Sequence, residues 1–133
     1  MRVMLDTNIL ISAGLFGGTH LSELTKRIAD EFNIVLSSQI IEELQLVVAL
    51  KFPNRKAALD RFMRKLSFEI AFTPTEIDPE IYPKIRDKKD YPILASAIIA
   101  DVDVFITGDK DFTVIDIERP EIMTISEFKE KYM

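Results

Sequence analysis

The feature that most constrains the fold is a short, continuously apolar segment near the amino terminus, Val3-Met4-Leu5, which Asp6 follows directly. Three consecutive apolar residues are typical of a strand that is buried on both faces, as in the middle of a parallel sheet. Such a strand delivers the carboxylate of Asp6 to the carboxyl edge of the sheet. We therefore expect the rest of the chain to be organised around this edge.

Strand-like and helix-like segments alternate along the remaining sequence. The pattern predicts further strands at 34–36, 68–72, 104–107 and 122–123, and helices at 19–30, 38–52, from 53 onwards, 91–100 and from 124 onwards. The glycine-containing segment 13–18 is predicted to be a flexible loop. This alternation predicts an α/β fold with a mainly parallel central sheet, and 133 residues fit a single domain, 1–133.

Composition narrows the classes of protein that fit. The chain has no cysteine, which suits a reducing cytoplasm and rules out a disulfide framework. The longest apolar stretch, 93–100, is too short to span a bilayer, so we expect a soluble cytoplasmic protein with no membrane partner. The net charge is -5, so any contact with nucleic acid must come from a local cluster of cations.

Four carboxylates from distant parts of the chain are predicted to meet at the carboxyl edge of the sheet. Asp6 and Asp109 follow strands directly, and Glu43 lies in the first turns of a helix that follows a strand. Asp90 opens the helix that precedes the strand ending at Thr107. Because right-handed crossovers put strand carboxyl ends and helix amino ends on one edge, all four should converge. Each also has a simpler explanation as a helix cap or turn residue.

The two adjacent glutamates are separated by helical phase. At about 100° per residue, Glu43 lies at the margin of an apolar stripe, whereas Glu42 lies nearly opposite it. That stripe consists of Ile40, Ile41, Leu44, Val47 and Val48. We expect only Glu43 to be partly buried.

Clustered carboxylates repel one another unless a cation lies among them. Mg²⁺ or Mn²⁺ suits a set of oxygen ligands, whereas zinc would normally recruit cysteine or histidine, and the chain has a single histidine. Such an ion lowers the pKa of a bound water and neutralises charge on a leaving oxygen. This chemistry points to phosphodiester hydrolysis.

Four segments of the sequence carry a resemblance to a known family. VMLDTNIL at 3–10, SQIIEEL at 38–44, RDKKD at 86–90 and TGDKDF at 107–112 resemble, in order and spacing, the motifs of PIN-domain proteins. The match spans essentially the whole chain and is strongest to small prokaryotic VapC-like toxin components of toxin-antitoxin systems. The resemblance implies a three-layer α/β/α sandwich and a Mg²⁺- or Mn²⁺-dependent endoribonuclease, with RNA and an antitoxin protein as partners. It leaves a homodimer open.

The resemblance also implies roles for individual residues. Its acidic core, both catalytic and metal-binding, would consist of Asp6, Glu43, Asp90 and Asp109, with Asp111 as an auxiliary metal ligand. Hydrogen bonds to this core would come from Asn8 and Thr107, while Asp87 is the alternative to Asp90 as third carboxylate.

The basic cluster that leads into Asp90 is the predicted RNA contact, and it consists of Lys84, Arg86, Lys88 and Lys89. The alternative contact is the polar face of the helix from Pro53, which carries Arg55, Lys56, Arg61, Arg64 and Lys65 and otherwise reads as a solvated surface.

Two other functions compete with the nuclease. One is a catalytically silent PIN-fold module that binds a protein. The other is a phosphatase of the haloacid dehalogenase type. Its motif requires a second aspartate at the position of Asn8, which makes it the lower-ranked alternative.

Overall fold

The computed structural model describes residues 1–16 and 18–133, and a five-stranded sheet forms their centre. The strands are β1 (Arg2–Leu5), β2 (Asn33–Ser37), β3 (Phe68–Ala71), β4 (Val104–Ile106) and β5 (Glu121–Met123). Their order is β3-β2-β1-β4-β5, and every neighbouring pair is parallel. The predicted parallel sheet is confirmed.

Helices cover both faces of this sheet. They are α1 (Thr7–Leu15), α2 (His20–Glu31), α3 (Ser38–Lys51), α4 (Lys56–Lys65), α5 (Tyr91–Ile99), α6 (Lys110–Thr113) and α7 (Ile125–Tyr132). The chain runs from β1 to β2 and β3 towards one edge of the sheet, so right-handed crossovers place α1 to α4 on one face. It then returns to β4 and β5 on the other side of β1, which places α5 and α6 on the opposite face. The predicted three-layer α/β/α sandwich is confirmed. Within the described residues, no helix combines the length and apolar character needed to cross a bilayer.

Strand β1 lies in the middle of the sheet because its side chains can be buried on both faces. Val3, Met4 and Leu5 are completely buried, and Met4 pairs with Val35 of β2 and Phe105 of β4. The core therefore extends continuously through both helical layers.

The loop predicted at 13–18 is wrong for its first three residues. Ala13, Gly14 and Leu15 complete α1 and are buried. A Cβ atom at Gly14 would lie 2.8 Å from Cδ1 of Phe62 in α4, so this glycine permits a close helix contact instead of a turn. Gly17 lies outside the described residues.

The caps that begin α2 and α7 follow the sequence pattern. Thr19 Oγ1 accepts a hydrogen bond from Ser22 N at 3.1 Å, and Thr124 and Glu127 form the expected capping box. The helix predicted from Pro53 begins differently, since Pro53–Arg55 form a 3-10 turn and the α-helix starts at Lys56.

Candidate active site

The candidate site lies where the direction of the sheet connections reverses. From β1 the chain continues to β2 and β3 on one side, while β4 and β5 lie on the other. Asp6 and Thr107 follow β1 and β4, and the Asp6 amide donates to the Ile106 carbonyl at 3.1 Å. A crevice at such a switch point, beyond the carboxyl ends of the strands, is where α/β sheets bind ligands.

Hydrogen bonds tie Asp6 to Asp109 through Thr107. Asp6 is 7% exposed, and its carboxylate oxygens accept from Thr7 N and from Thr107 Oγ1, each at 2.7 Å. Thr107 Oγ1 in turn accepts from Asp109 N at 3.1 Å. Asp6 therefore caps α1 and is also oriented towards the neighbouring strand end.

Three aspartates come together beside this chain of hydrogen bonds. Carboxylate oxygens of Asp90, Asp109 and Asp111 lie within 4.8 Å of one another. Asp90 occupies the N-cap position of α5 but makes no capping hydrogen bond with its side chain. Asp87 takes the capping role in the preceding turn, where its carboxylate accepts from Lys89 N at 3.0 Å. Simple helix capping therefore does not explain Asp90.

Asp111 differs from the other two because Arg86 neutralises it. The guanidinium of Arg86 donates to both Asp111 oxygens at 2.8 Å. This pairing holds the pKa of the Asp111 carboxyl below its usual value and raises the pKa of Arg86. The guanidinium of Arg86, which the sequence predicted as an RNA contact, is therefore paired with the Asp111 carboxylate.

Glu43 reaches the site from the first turns of α3. It is half-buried, whereas Glu42 is exposed. Burial raises the pKa of Glu43, and the negative charge of Asp6 raises it further. Glu43 is not one of the three carboxylates within 4.8 Å of one another, so the structure places it beside that group.

Burial likewise raises the pKa of Asp6, against the lowering effect of its hydrogen bonds from Thr107 and Thr7. The pKa of Asp90 rises to about 6, first through burial and then through the negative charges of Asp109 and Asp87. The site thus holds several carboxylates whose ionised forms are disfavoured.

The residues present fit a hard divalent cation. Thr7 Oγ1 is buried and lacks a hydrogen-bond partner among the described residues. The Thr7 hydroxyl lies near the Glu43 carboxyl and offsets part of the rise in the Glu43 pKa. The two groups do not meet the geometric criteria of a hydrogen bond. The unpaired Thr7 hydroxyl and the carboxylates of raised pKa around it offer only oxygen atoms as ligands. Magnesium and manganese prefer such ligands.

The remaining predicted residues lie around the rim. Asn8 is exposed, and its supporting role stays a prediction. Lys88 and Lys89 are exposed, and Lys89 lines a cavity together with Glu43 and Asp90.

A polar contact that the sequence did not reveal positions Glu43 against α5. Thr73 Oγ1 accepts from Gln39 N at 3.1 Å and from Ser96 Oγ at 2.9 Å, while Thr73 N donates to Ser38 Oγ at 2.9 Å. These bonds join the start of α3, the segment after β3 and the helix that follows Asp90. Hydroxyl residues at strand ends were the available signal, but their partners are distant in sequence.

Comparisons with known proteins agree with this architecture. Residues 2–111 match a family model described as the PIN domain. The fold is similar to a chain in the crystal structure of VapBC2 from Rickettsia felis bound to a DNA fragment from their promoter, with a TM-score of 0.67 and 24% sequence identity. That match covers 92% of this chain and 97% of the other. No curated protein sequence matches. Because the family match extends over most of the chain and includes the strand ends that carry the carboxylates, this protein belongs to the PIN-domain family.

Proposed function

We propose that this protein is a Mg²⁺- or Mn²⁺-dependent endoribonuclease. The observation that supports the proposal is the group of Asp90, Asp109 and Asp111 at the switch point of a PIN-family sheet, with carboxylate oxygens within 4.8 Å of one another. Asp6 and Glu43 lie near enough for charge effects to link Asp6 with Asp109 and Glu43 with Asp6. The ionised forms of Asp6, Glu43 and Asp90 are disfavoured in the protein alone, so a bound cation would relieve the repulsion. The family match argues against the phosphatase alternative.

Asp6, Asp90 and Asp109 would hold the metal, with Asp111 as an auxiliary ligand when Arg86 releases it. A bound ion supplies an activated water and neutralises charge on the leaving oxygen. Thr107 keeps the Asp6 carboxylate in one orientation through its 2.7 Å hydrogen bond. Glu43, beside the aspartate group and with a raised pKa, is suited to accept the proton of the attacking water.

We further propose that the protein acts in the cytoplasm as the toxin of a toxin-antitoxin pair. The similarity in fold to a VapBC2 chain supports a cognate antitoxin partner. The absence of cysteine suits a reducing compartment. A homodimer remains part of the hypothesis for the assembled protein.

The test compares two adjacent glutamates. Purified wild-type protein should cleave single-stranded RNA with Mn²⁺ and lose this activity in chelator. Glu43→Gln should lower the rate by about a hundredfold or more, because it removes a positioned base. The control variant Glu42→Gln changes the exposed neighbour and should cleave nearly as fast as wild type. Metal-independent cleavage, or equal losses in both variants, would reject the assignment, and an inactive wild type would favour the silent binding module.

A further inference from the structure

A second cavity lies beside the acidic group, and the proposed mechanism gives its aromatic wall no role. Its volume is about 830 Å³, and the segment between the 3-10 turn Pro79–Ile81 and the start of α5 forms its walls. The residues that matter for its chemistry are Pro79, Tyr82, Lys84, Arg86, Lys88 and Tyr91.

The apolar part of this cavity is aromatic and held in place. Tyr91 is buried, and its hydroxyl accepts a hydrogen bond from Ile85 N at 3.3 Å, which fixes the ring as a wall. Tyr82 is half-buried and packs on the core while part of its side chain remains accessible. The partly accessible ring of Tyr82 is a surface on which a planar group can stack.

The rim of the cavity is cationic although the protein is acidic. Lys84 and Lys88 are exposed, Arg86 is paired with Asp111, and Glu80 is the one carboxylate among the lining residues that the structure describes. With a net charge of -5 over the chain, this is a local reversal of sign. A ligand that combines a planar apolar group with negative charge fits both the ring and the rim.

The cavity and the acidic group share a wall. Arg86 lines the cavity and donates to Asp111, and Tyr91 directly follows Asp90. A polyanion with one phosphate at the aspartates would therefore place a neighbouring unit at the cavity.

We propose that this cavity binds one unstacked base of single-stranded RNA next to the phosphate that is cleaved. The ring of Tyr82 stacks on the base, and Lys84 and Lys88 contact the flanking phosphates. This inference rests on the proposed ribonuclease function and requires an unpaired base, because a base paired in a duplex cannot enter the cavity.

Binding of a fluorescently labelled seven-nucleotide RNA in Ca²⁺ buffer, measured by anisotropy with the RNA checked for integrity, tests the proposal. Tyr82→Leu should raise Kd by about tenfold, whereas Tyr82→Phe, which keeps the ring, should bind as wild type does. Tyr132→Leu is the matched control, because Tyr132 is a half-buried tyrosine that packs on Phe128 outside the cavity. Lys84→Ala, an exposed change, should weaken binding severalfold and lower its salt dependence.

Equal Kd values for wild type, Tyr82→Leu and Lys84→Ala would overturn the inference, as would equal losses in Tyr82→Leu and Tyr82→Phe. A duplex that binds as tightly as the single strand would also contradict it. Cleavage in Mn²⁺, measured separately on the same RNA, distinguishes the two proposals. If binding depends on Tyr82 but no cleavage occurs, the nuclease proposal is rejected and the base-binding cavity is supported. If the protein cleaves RNA and neither cleavage nor binding depends on Tyr82, the nuclease proposal is supported and the base-binding cavity is rejected.

Discussion

At the scale of single residues, Asp90 shows how the site holds unfavourable charge. Three acidic neighbours are satisfied, since Asp87 caps a turn, Asp109 caps α6 and Asp111 pairs with Arg86. Asp90 has no such partner, and burial and neighbouring charge raise its pKa to about 6. At neutral pH its ionised form therefore opposes folding unless a cation is bound.

The first prediction is that Asp90→Asn raises the melting temperature in chelator at pH 7.5, by a few degrees. Between pH of about 4 and 6 the folded wild type binds more protons than the unfolded chain, because the pKa of Asp90 is raised on folding. The stability that protonated Asp90 contributes to the folded wild type is thus present at low pH and is lost as pH rises through 6. The advantage of the variant should shrink as pH falls below 6.

Thermal melts from pH 4.5 to 8 in chelator measure this difference. Asp116→Asn, an exposed change outside the acidic group, is the control and should show no such trend. A difference between Asp90→Asn and wild type that is constant with pH would contradict the assignment of the strain to Asp90.

Sequence patterns predicted the positions of single carboxylates only where the backbone decides them. Asp6 and Asp109 follow buried strands, and Glu43 follows from helical phase, so periodicity was enough to place them. The choice between Asp87 and Asp90 depends on which carboxylate caps the turn, and both stand at plausible cap positions. The bond from Arg86 to Asp111 joins residues that are 25 positions apart, and no local pattern predicts it.

At the scale of elements, α1 explains why the end of a helix was mistaken for a loop. It lies against the sheet-facing core and against α2, α3 and α4, and it is buried on nearly all sides. A helix that is apolar all round lacks the amphipathic periodicity from which helices are identified. Gly14 added a misleading turn signal, although its role is to let α4 approach.

The second prediction follows from that approach. Gly14→Ala should lower the free energy of unfolding by about 1–2 kcal/mol, because overpacking at the Phe62 ring outweighs the better helix propensity of alanine. The new Cβ would lie 2.8 Å from Cδ1 of Phe62. Urea denaturation measures the change, with Ser12→Ala at an exposed position of the same helix as the control.

Adding Phe62→Leu to Gly14→Ala should recover part of the loss, since the smaller side chain makes room for the methyl group. If Gly14→Ala were as stable as wild type, the close contact between α1 and α4 would not constrain this position.

At the scale of the whole molecule, topology gathers charge that is scattered along the sequence. The sheet order puts the ends of β1 and β4 side by side, so carboxylates separated by about a hundred residues meet in one crevice. This level was predictable, because alternating elements and right-handed crossovers leave few arrangements. The positions of the cations were less predictable, because packing does not constrain solvent-exposed side chains.

The last prediction concerns which cations let an acidic protein hold RNA. Lys88 and Lys89 flank the acidic group, and Lys89 shares a cavity with Glu43 and Asp90. If both contact phosphates, replacing them with alanine should weaken RNA binding and reduce the slope of log K against log salt by about 1–1.5, at about 0.7 per contact on a single strand.

Arg61→Ala with Arg64→Ala is the matched control, because it also removes two positive charges from an exposed surface, that of α4. Both double variants lower the net charge equally, so a general electrostatic effect would change their salt slopes alike. A local contact changes only the Lys88 and Lys89 slope. Binding measured at several salt concentrations decides between the two, and an unchanged slope in the Lys88 and Lys89 variant would mean that RNA approaches the carboxylates from another side.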